Sequence, residues 1–365
     1  DVSGTGLTYN IGEALGVHGR NNADLVEEFI KMYGLNGDEL IEVASKEDNQ
    51  ILEVRTLRQS LIENLDLFGK PPKRFYESLI EFTADEAEKK KLEELVSPAG
   101  AALFKKFQDE EFYTFADIFE LFQSASPRPQ DLVQIISPLK RSEYSIASSQ
   151  KLHPNEVHLL IVVVDWVDNK GRKRYGQCSK YISDLQVGQE LVVSVKPSIM
   201  KLPPLTTQPI VMAGLGTGLA PFKAFIEERQ YQLEHGAEIG EIYLYLGSRH
   251  KRQEYLYGEY WEAYMDADIL THLGAAFSRD QVKKVYIQDK IRENLTELQD
   301  LIVNKNGHFY LCGPTWPVPD ISACLQDVLE ADAAQKGIKI DAAKAVEEMK
   351  EEGKYVLEVY WSPLL

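Results

Sequence analysis

The chain has 365 residues, 44% of them hydrophobic, enough for two or three domains with cores of their own. Its 57 acidic residues outnumber 40 basic ones, and the formal net charge of -17 argues against a nucleic-acid binder, whose affinity comes largely from neutralising phosphates. Three widely spaced cysteines, Cys178, Cys312 and Cys324, exclude a disulfide framework and a zinc ribbon and fit a reducing, cytoplasmic setting.

No apolar run approaches the ~18 residues of a membrane span. The opening DVSGTGLTYNIGEALGVH has neither initiator Met nor targeting pattern and reads as part of a larger chain. Gly4, Gly6, Gly12 and Gly16 punctuate β-type runs there. From Asn22 to about Gln123 the text turns helical: NADLVEEFIKMYG has a capping Asn22 and a closing Gly34, and TADEAEKKKLEELVS stops before Pro98. SASPRPQ (124–130) reads as a linker. VHLLIVVVDWVDNKGRKRYGQ predicts an apolar strand, a turn from Asp168 to Gly171 and a basic return strand, and Pro203 and Pro204 mark a boundary. After Thr207 short apolar strands alternate with helical segments, as in a doubly wound parallel sheet. The predicted fold class is multidomain α/β. An antiparallel β-barrel would be built from 1–21 and 127–204, interrupted by a helical insert over 22–126 and followed by a parallel-sheet domain over 205–365.

GLGTGLAP (214–221) follows a buried strand and opens a helix, so the amides of Gly216, Thr217 and Gly218 are available to a pyrophosphate; read alone, such glycines also serve tight turns. FSRDQVKKVYIQ (277–288) supplies Ser278, Arg279 and Lys284, with Tyr286 as a stacking surface and Gln288 as a polar contact. That set suits the 2'-phosphate of NADPH, or else is a solvated basic face. GQCSKYI (176–182) begins a helix with Ser179 in its first turn, either a second pyrophosphate site or an ordinary cap. Cys312, in YLCGPTWP, reads by itself as core packing, and KYVLEVYW places Glu358 and Tyr360 on a terminal strand. No metal site is expected: His153 and His158, in HPNEVH, read as turn residues.

In this order the motifs resemble the ferredoxin-NADP reductase module of the diflavin reductase family, over nearly the entire chain. GKPPKRFYESL (69–79), YLGSRHKRQEYLYGE (245–259) and CGPTWPVPD (312–320) resemble its fungal assimilatory sulfite reductase branch, where Pro314 stands in place of the Asp usual elsewhere. The resemblance implies FAD in the barrel, with Arg141, Ser142 and Glu143 beside it. Tyr144 would lie on the isoalloxazine, Ser145 near its N5, Leu160, Ile161, Val162 and Trp166 on the adenine side, and Gly176, Gln177, Cys178 and Ser179 at the pyrophosphate. It implies NADPH across Gly216, Thr217, Gly218, Ser278, Arg279, Lys284, Tyr286, Gln288 and Asp320. Hydride would pass from nicotinamide to flavin among Ser145, Cys312 and Glu358, with Tyr360 covering the flavin face and swinging aside. FMN and sirohaem are implied elsewhere, on an FMN-bearing domain and a haemoprotein (beta) subunit partner. Another diflavin oxidoreductase, or a flavin-poor NADPH-binding assembly subunit, is the alternative.

Two departures stand out. The family strand reads Arg, any residue, Tyr, Ser, whereas LKRSEYSIASSQ (139–150) has Ser142 at the Arg position and its cation one place earlier, at Arg141. WSPLL (361–365) follows the Tyr that ends the sulfite reductase chains, as a natural tail or a cloning scar.

Overall fold

The computed structural model describes residues 1–360, so the WSPLL tail lies outside the described residues. The described strands are β1 (Ala14–His18), β2 (Leu40–Ala44), β3 (Leu52–Thr56), β4 (Ser142–Ser145), β5 (Asp165–Val167), β6 (Lys173–Tyr175), β7 (Val192–Lys196), β8 (Ile210–Leu215), β9 (Ile242–Ser248), β10 (His272–Phe277), β11 (His308–Pro314) and β12 (Tyr355–Tyr360). β4, β1 and β7 form a three-stranded sheet in that order. The chain divides into two compact units. One comprises Gly16–Ser142 and Val162–Ser194; the other comprises Asp1–Leu15, Glu143–Ile161 and the chain from Val195 onward.

In the first unit local chemistry sets the helix ends. Asn22 caps helix Ala23–Tyr33 by accepting from the Leu25 amide, and Gly34 closes it at φ 75°, in the left-handed region. Val26, Phe29 and Ile30 recur at helical spacing and are buried in a core with Phe75, Tyr76, Phe115 and Phe119. Helix Glu86–Val96 is capped by Asp85 and ends at Ser97, before Pro98. The segment is not wholly helical, however. β2 and β3 form an antiparallel hairpin, with Glu42 opposite Val54. In β2 Ile41 and Val43 are buried while Leu40, Glu42 and Ala44 are exposed, the period of two that a half-buried strand requires.

The apolar strand expected before the Asp168 turn also differs. Leu159 makes one antiparallel bridge to Ile146, and regular pairing starts only at β5, with Trp166 opposite Arg174 on β6. Val162, Val163 and Val164 are exposed. Apolar β-branched residues favour a strand only when a neighbour takes their backbone and side chains.

The turn between β5 and β6 is organised by Asp168, whose side chain is fully buried. Its Oδ1 accepts the amides of Lys170 at 3.0 Å and Arg172 at 2.9 Å, while Oδ2 accepts Nε of Arg172 at 2.9 Å and of Arg174 at 3.0 Å. Burial pushes the carboxyl up, but these donors outweigh it and hold it well below the usual carboxylate range. A depressed folded pKa contributes stability that is full above the unfolded value of about 4 and is lost as pH falls through the folded value. Asp168→Asn is therefore expected to lower the urea midpoint at neutral pH and to flatten its fall between about pH 4 and 2. Identical acid limbs in the two proteins would rule this out.

In the second unit β10, β9, β8, β11 and β12 form a five-stranded sheet in that order, and every adjacent pair runs parallel. All six residues of β8 are buried, as in a central strand covered on both faces. Ile210 and Met212 join one core with Leu244, Leu246 and Tyr310. Val211, Ala213 and Leu215 join the other with Tyr245, Leu311 and Tyr355. The predicted parallel sheet is thus present, as are antiparallel pairs, β2 with β3 and β5 with β6.

Candidate functional site

The sheet order reverses around β8, with β9 on one side and β11 on the other, and ligands of such sheets bind beyond the carboxyl ends at that reversal. There β8 runs into a 3-10 turn, Gly216–Leu219, and then helix Ala220–Glu234. Gly216 sits at φ 57°, where glycine is favoured. A Cβ on Gly218 would run into the carbonyl of Cys312, so the turn and the end of β11 meet backbone to backbone. The turn therefore brings Gly216, Thr217 and Gly218 to the end of β11.

Strand register brings the next residues together. Cys312 lies opposite Gly214 on β8 and opposite Glu358 on β12. Burial, with a smaller contribution from the Glu358 charge, pushes the thiol well up, so Cys312 stays a neutral –SH. Glu358 is raised by burial as well. Ser198 donates to its Oε1 at 3.2 Å, and the Ser145 hydroxyl lies near enough to favour the charged form too. The other oxygen, Oε2, is buried and has no hydrogen-bond partner among the described residues. Tyr360, 45% exposed, ends β12 with its hydroxyl 3.5 Å from Thr217 Oγ1. Ser145 and Cys312 thus each lie beside Glu358, and Tyr360 follows two residues along the same strand.

A second group gathers beyond β10. The amides of Ser278 and Arg279 donate to the carbonyls of Ser248 and Arg249, each at 2.9 Å, which fixes their direction. Arg279 and Lys284 are exposed. Tyr286 meets Trp316 edge-on at 5.4 Å, and Gln288 Nε2 donates to Asp320 Oδ2 at 3.1 Å. Ser248 Oγ and Gln288 Oε1 are buried and unpartnered. Sequence reading did not assign Ser198, Ser248 or Trp316. Trp316 carried a signal within CGPTWP; the two serines carried none, because their partners are distant in the chain.

In the other unit Gly176 caps helix Gln177–Ser183. The Ser179 hydroxyl donates to the Gly176 carbonyl at 3.3 Å and accepts the Val164 amide at 3.2 Å. Gln177 packs over Gly19, and Cys178 is buried with Sγ 3.9 Å from the Val17 carbonyl. Trp166 Nε1 is buried and unpartnered, while Val162 is exposed. Arg141 crosses the position a side chain on Gly16 would fill and donates to Ser194 Oγ at 2.9 Å; Ser142 is half-buried. Elsewhere Glu143 pairs with Lys196 at 2.9 Å, Tyr144 and Ile161 are half-buried, and Leu160 packs against the core that holds Cys312.

Residues 1–181 match the FAD binding domain family, and residues 212–318 match the oxidoreductase NAD-binding domain family. The chain is 67% identical over 99% of its length to the sulfite reductase [NADPH] flavoprotein component of Saccharomyces cerevisiae, covering 35% of that protein. It is 51% identical over 99% of its length to the probable counterpart of Schizosaccharomyces pombe, covering 36%. An NADPH–cytochrome P450 reductase of Dictyostelium discoideum is 31% identical over 98% of this chain, which covers 54% of it. Over nearly its whole length the chain is thus similar to NADPH-dependent flavoprotein reductases, the NADPH-dependent diflavin oxidoreductase 1 of Arabidopsis thaliana among them at 30% identity over 99% of this chain. It spans about a third of the length of the sulfite reductase components it matches.

The chain carries an FAD binding domain match and an oxidoreductase NAD-binding domain match. Trp166 Nε1 in the first match, Ser248 Oγ and Gln288 Oε1 in the second, and Glu358 Oε2 are buried polar atoms without partners among the described residues. Such atoms are costly unless something else satisfies them. No described helix is long and apolar enough to cross a membrane.

Proposed function

We propose that this chain is the NADPH-oxidising, FAD-bearing module of a cytoplasmic sulfite reductase. It would send electrons to FMN on another domain or subunit, and through it to the sirohaem of a haemoprotein (beta) partner that reduces sulfite to sulfide. The observation that carries the reading is the pairing of Cys312 with Glu358 across β11 and β12, with Ser145 beside the carboxylate. FAD, when bound, supplies acceptance of two electrons at once and their release one at a time. The protein's part is orientation and electrostatics. Cys312 is an uncharged wall that excludes water, and Glu358 offers negative charge where the nicotinamide becomes positive. Gly216, Thr217 and Gly218 would hold the pyrophosphate at the start of the helix, and Ser278, Arg279, Lys284, Tyr286, Gln288 and Asp320 the adenosine end.

On the flavin side, Tyr144 and Ser145 would take the ring system, with Tyr360 as a movable cover. Leu160, Ile161, Val162 and Trp166 would take the adenine, and Gly176, Gln177, Cys178 and Ser179, beside Arg141, Ser142 and Glu143, the pyrophosphate end. Arg141 is already committed to Ser194, so a cation at 142 would be an addition. Ser142→Arg is expected to tighten FAD binding by roughly tenfold to a hundredfold, one charge-assisted hydrogen bond being worth about 1.5–3 kcal/mol. Fluorescence titration of the apoprotein reads it, and unchanged affinity would remove Ser142 from the site.

The purified chain should be yellow, bleach with NADPH and reduce ferricyanide. A colourless protein that stays inactive after incubation with excess FAD would sink the enzyme reading in favour of an assembly subunit. Reduction of a different acceptor by the full-length protein would point instead to another diflavin oxidoreductase.

A further inference from the structure

We propose that the loop bearing His153, Glu156 and His158 is a binding site for a divalent transition metal of the Zn2+ or Cu2+ class, built against the buried Glu227 of helix Ala220–Glu234. The three side chains each offer a ligand atom, and these atoms all lie within 4.8 Å of one another. Glu156 Oε2 is 2.9 Å from His158 Nε2 and 3.5 Å from His153 Nδ1. A four-coordinate zinc with bonds of about 2.0–2.2 Å separates its donors by roughly 3.3–3.5 Å, so the loop needs only small adjustments. Two imidazoles and a carboxylate, with water in the fourth position, suit zinc or copper and not the all-oxygen preference of calcium or magnesium.

The loop alone would be an ordinary surface cluster; Glu227 makes it a built site. His153 Nε2 is 3.1 Å from Glu227 Oε2. A carboxylate can only accept, so the proton sits on Nε2 and the Nδ1 lone pair faces Glu156. A carboxylate that orients a histidine through its outer nitrogen is the usual support of a metal-bound imidazole. Glu227 is completely buried, and its other oxygen has no hydrogen-bond partner. Its ion pair with Lys223 is long, at 3.6 Å, and Lys223 also lies 4.4 Å from the ring centre of Tyr260. A second positive charge behind His153 would relieve an under-compensated buried carboxylate. The ligands stay accessible: the His153, His158 and Glu156 side chains are 31%, 39% and 56% exposed. On binding, the metal replaces the proton that His158 Nε2 shares with Glu156, and that proton moves to Nδ1 or to solvent. The metal would fasten this loop to the helix that follows the Gly216–Leu219 turn.

Titration of the full chain with Co2+, followed by its visible ligand-field bands and then by Zn2+ displacement, should show one saturable equivalent with nitrogen and oxygen ligation. Affinity should fall at acid pH, because only a deprotonated imidazole nitrogen binds a metal. His158→Asn, on the exposed edge, should weaken binding at least tenfold while NADPH–ferricyanide activity persists. Glu227→Gln should weaken it by about tenfold to a hundredfold without removing a ligand. His235→Asn, away from the cluster, should leave it unchanged. Absence of saturable binding, equal affinity in His158→Asn and the parent, or thiolate charge-transfer bands pointing to the cysteines would each overturn the proposal.

Discussion

Glu358→Gln is expected to slow NADPH-driven ferricyanide reduction by roughly tenfold to a hundredfold, the rate equivalent of about 1.5–3 kcal/mol for one lost charged interaction. The effect should fall on kcat with KM for NADPH nearly unchanged, because the nicotinamide gains its positive charge only as the reaction proceeds. The carboxylate is held in place: it is half-buried, accepts from Ser198 at 3.2 Å, and is set opposite Cys312 by strand register. Its pH behaviour gives an independent signature. Burial raises the Glu358 pKa above the ordinary carboxyl value, while Ser198 and Ser145 pull it partly back. Activity should therefore rise with pH along a limb displaced above about 4.5, and the E358Q variant, whose amide does not titrate, should show no such limb. Stability carries the matching sign. A raised folded pKa contributes stability that is complete below the unfolded value and is lost as pH rises through the folded one, so E358Q should also flatten that slope. A variant with normal FAD content, unchanged kcat and an unchanged acid limb would remove Glu358 from the reaction.

Arg279→Ala is the second large expectation: the preference for NADPH over NADH should shrink by roughly tenfold to a hundredfold, because one charge-assisted contact to a 2'-phosphate is lost. The loss should appear as a higher KM for NADPH, with kcat and the constants for NADH little altered, the pattern of uniform binding. The backbone supports this role. The Ser278 and Arg279 amides are tied to the carbonyls of Ser248 and Arg249, which holds the backbone just past the carboxyl end of β10. Lys284 is exposed in the same loop, and the edge-on contact of Tyr286 with Trp316 leaves an aromatic surface for the adenine. Arg279→Lys should recover only part of the preference, since an ammonium cannot match the two-pronged guanidinium geometry. Raising the salt concentration should weaken the parent more than the Ala variant. A selectivity ratio equal in parent and variant would send the basic segment back to being a solvated face.

Much of the architecture was legible because its causes are local. Asn22 and Gly34 mark a helix by hydrogen-bond chemistry that needs no tertiary partner. The all-apolar β8 followed by Gly216, Thr217 and Gly218 marks a strand, a turn and a helix start for the same reason. The β2–β3 hairpin was not legible within its helical surroundings: each strand has only five residues, too few turns of either period to overrule the neighbouring helical pattern. The apolar run before Asp165 misled in the opposite direction, since composition cannot say whether a partner strand is present.

The sequence by itself determined the helix caps, the alternation of buried strands in the parallel sheet and the types of residue available to a dinucleotide, because each depends on neighbours a few positions away. Only the tertiary structure decided that Cys312 faces Glu358, that Ser198 steadies that carboxylate, and that His153 rests on Glu227. Those pairings depend on parallel register and helix packing between distant segments. There, burial and desolvation, rather than spacing along the chain, set which groups meet and what charge they carry.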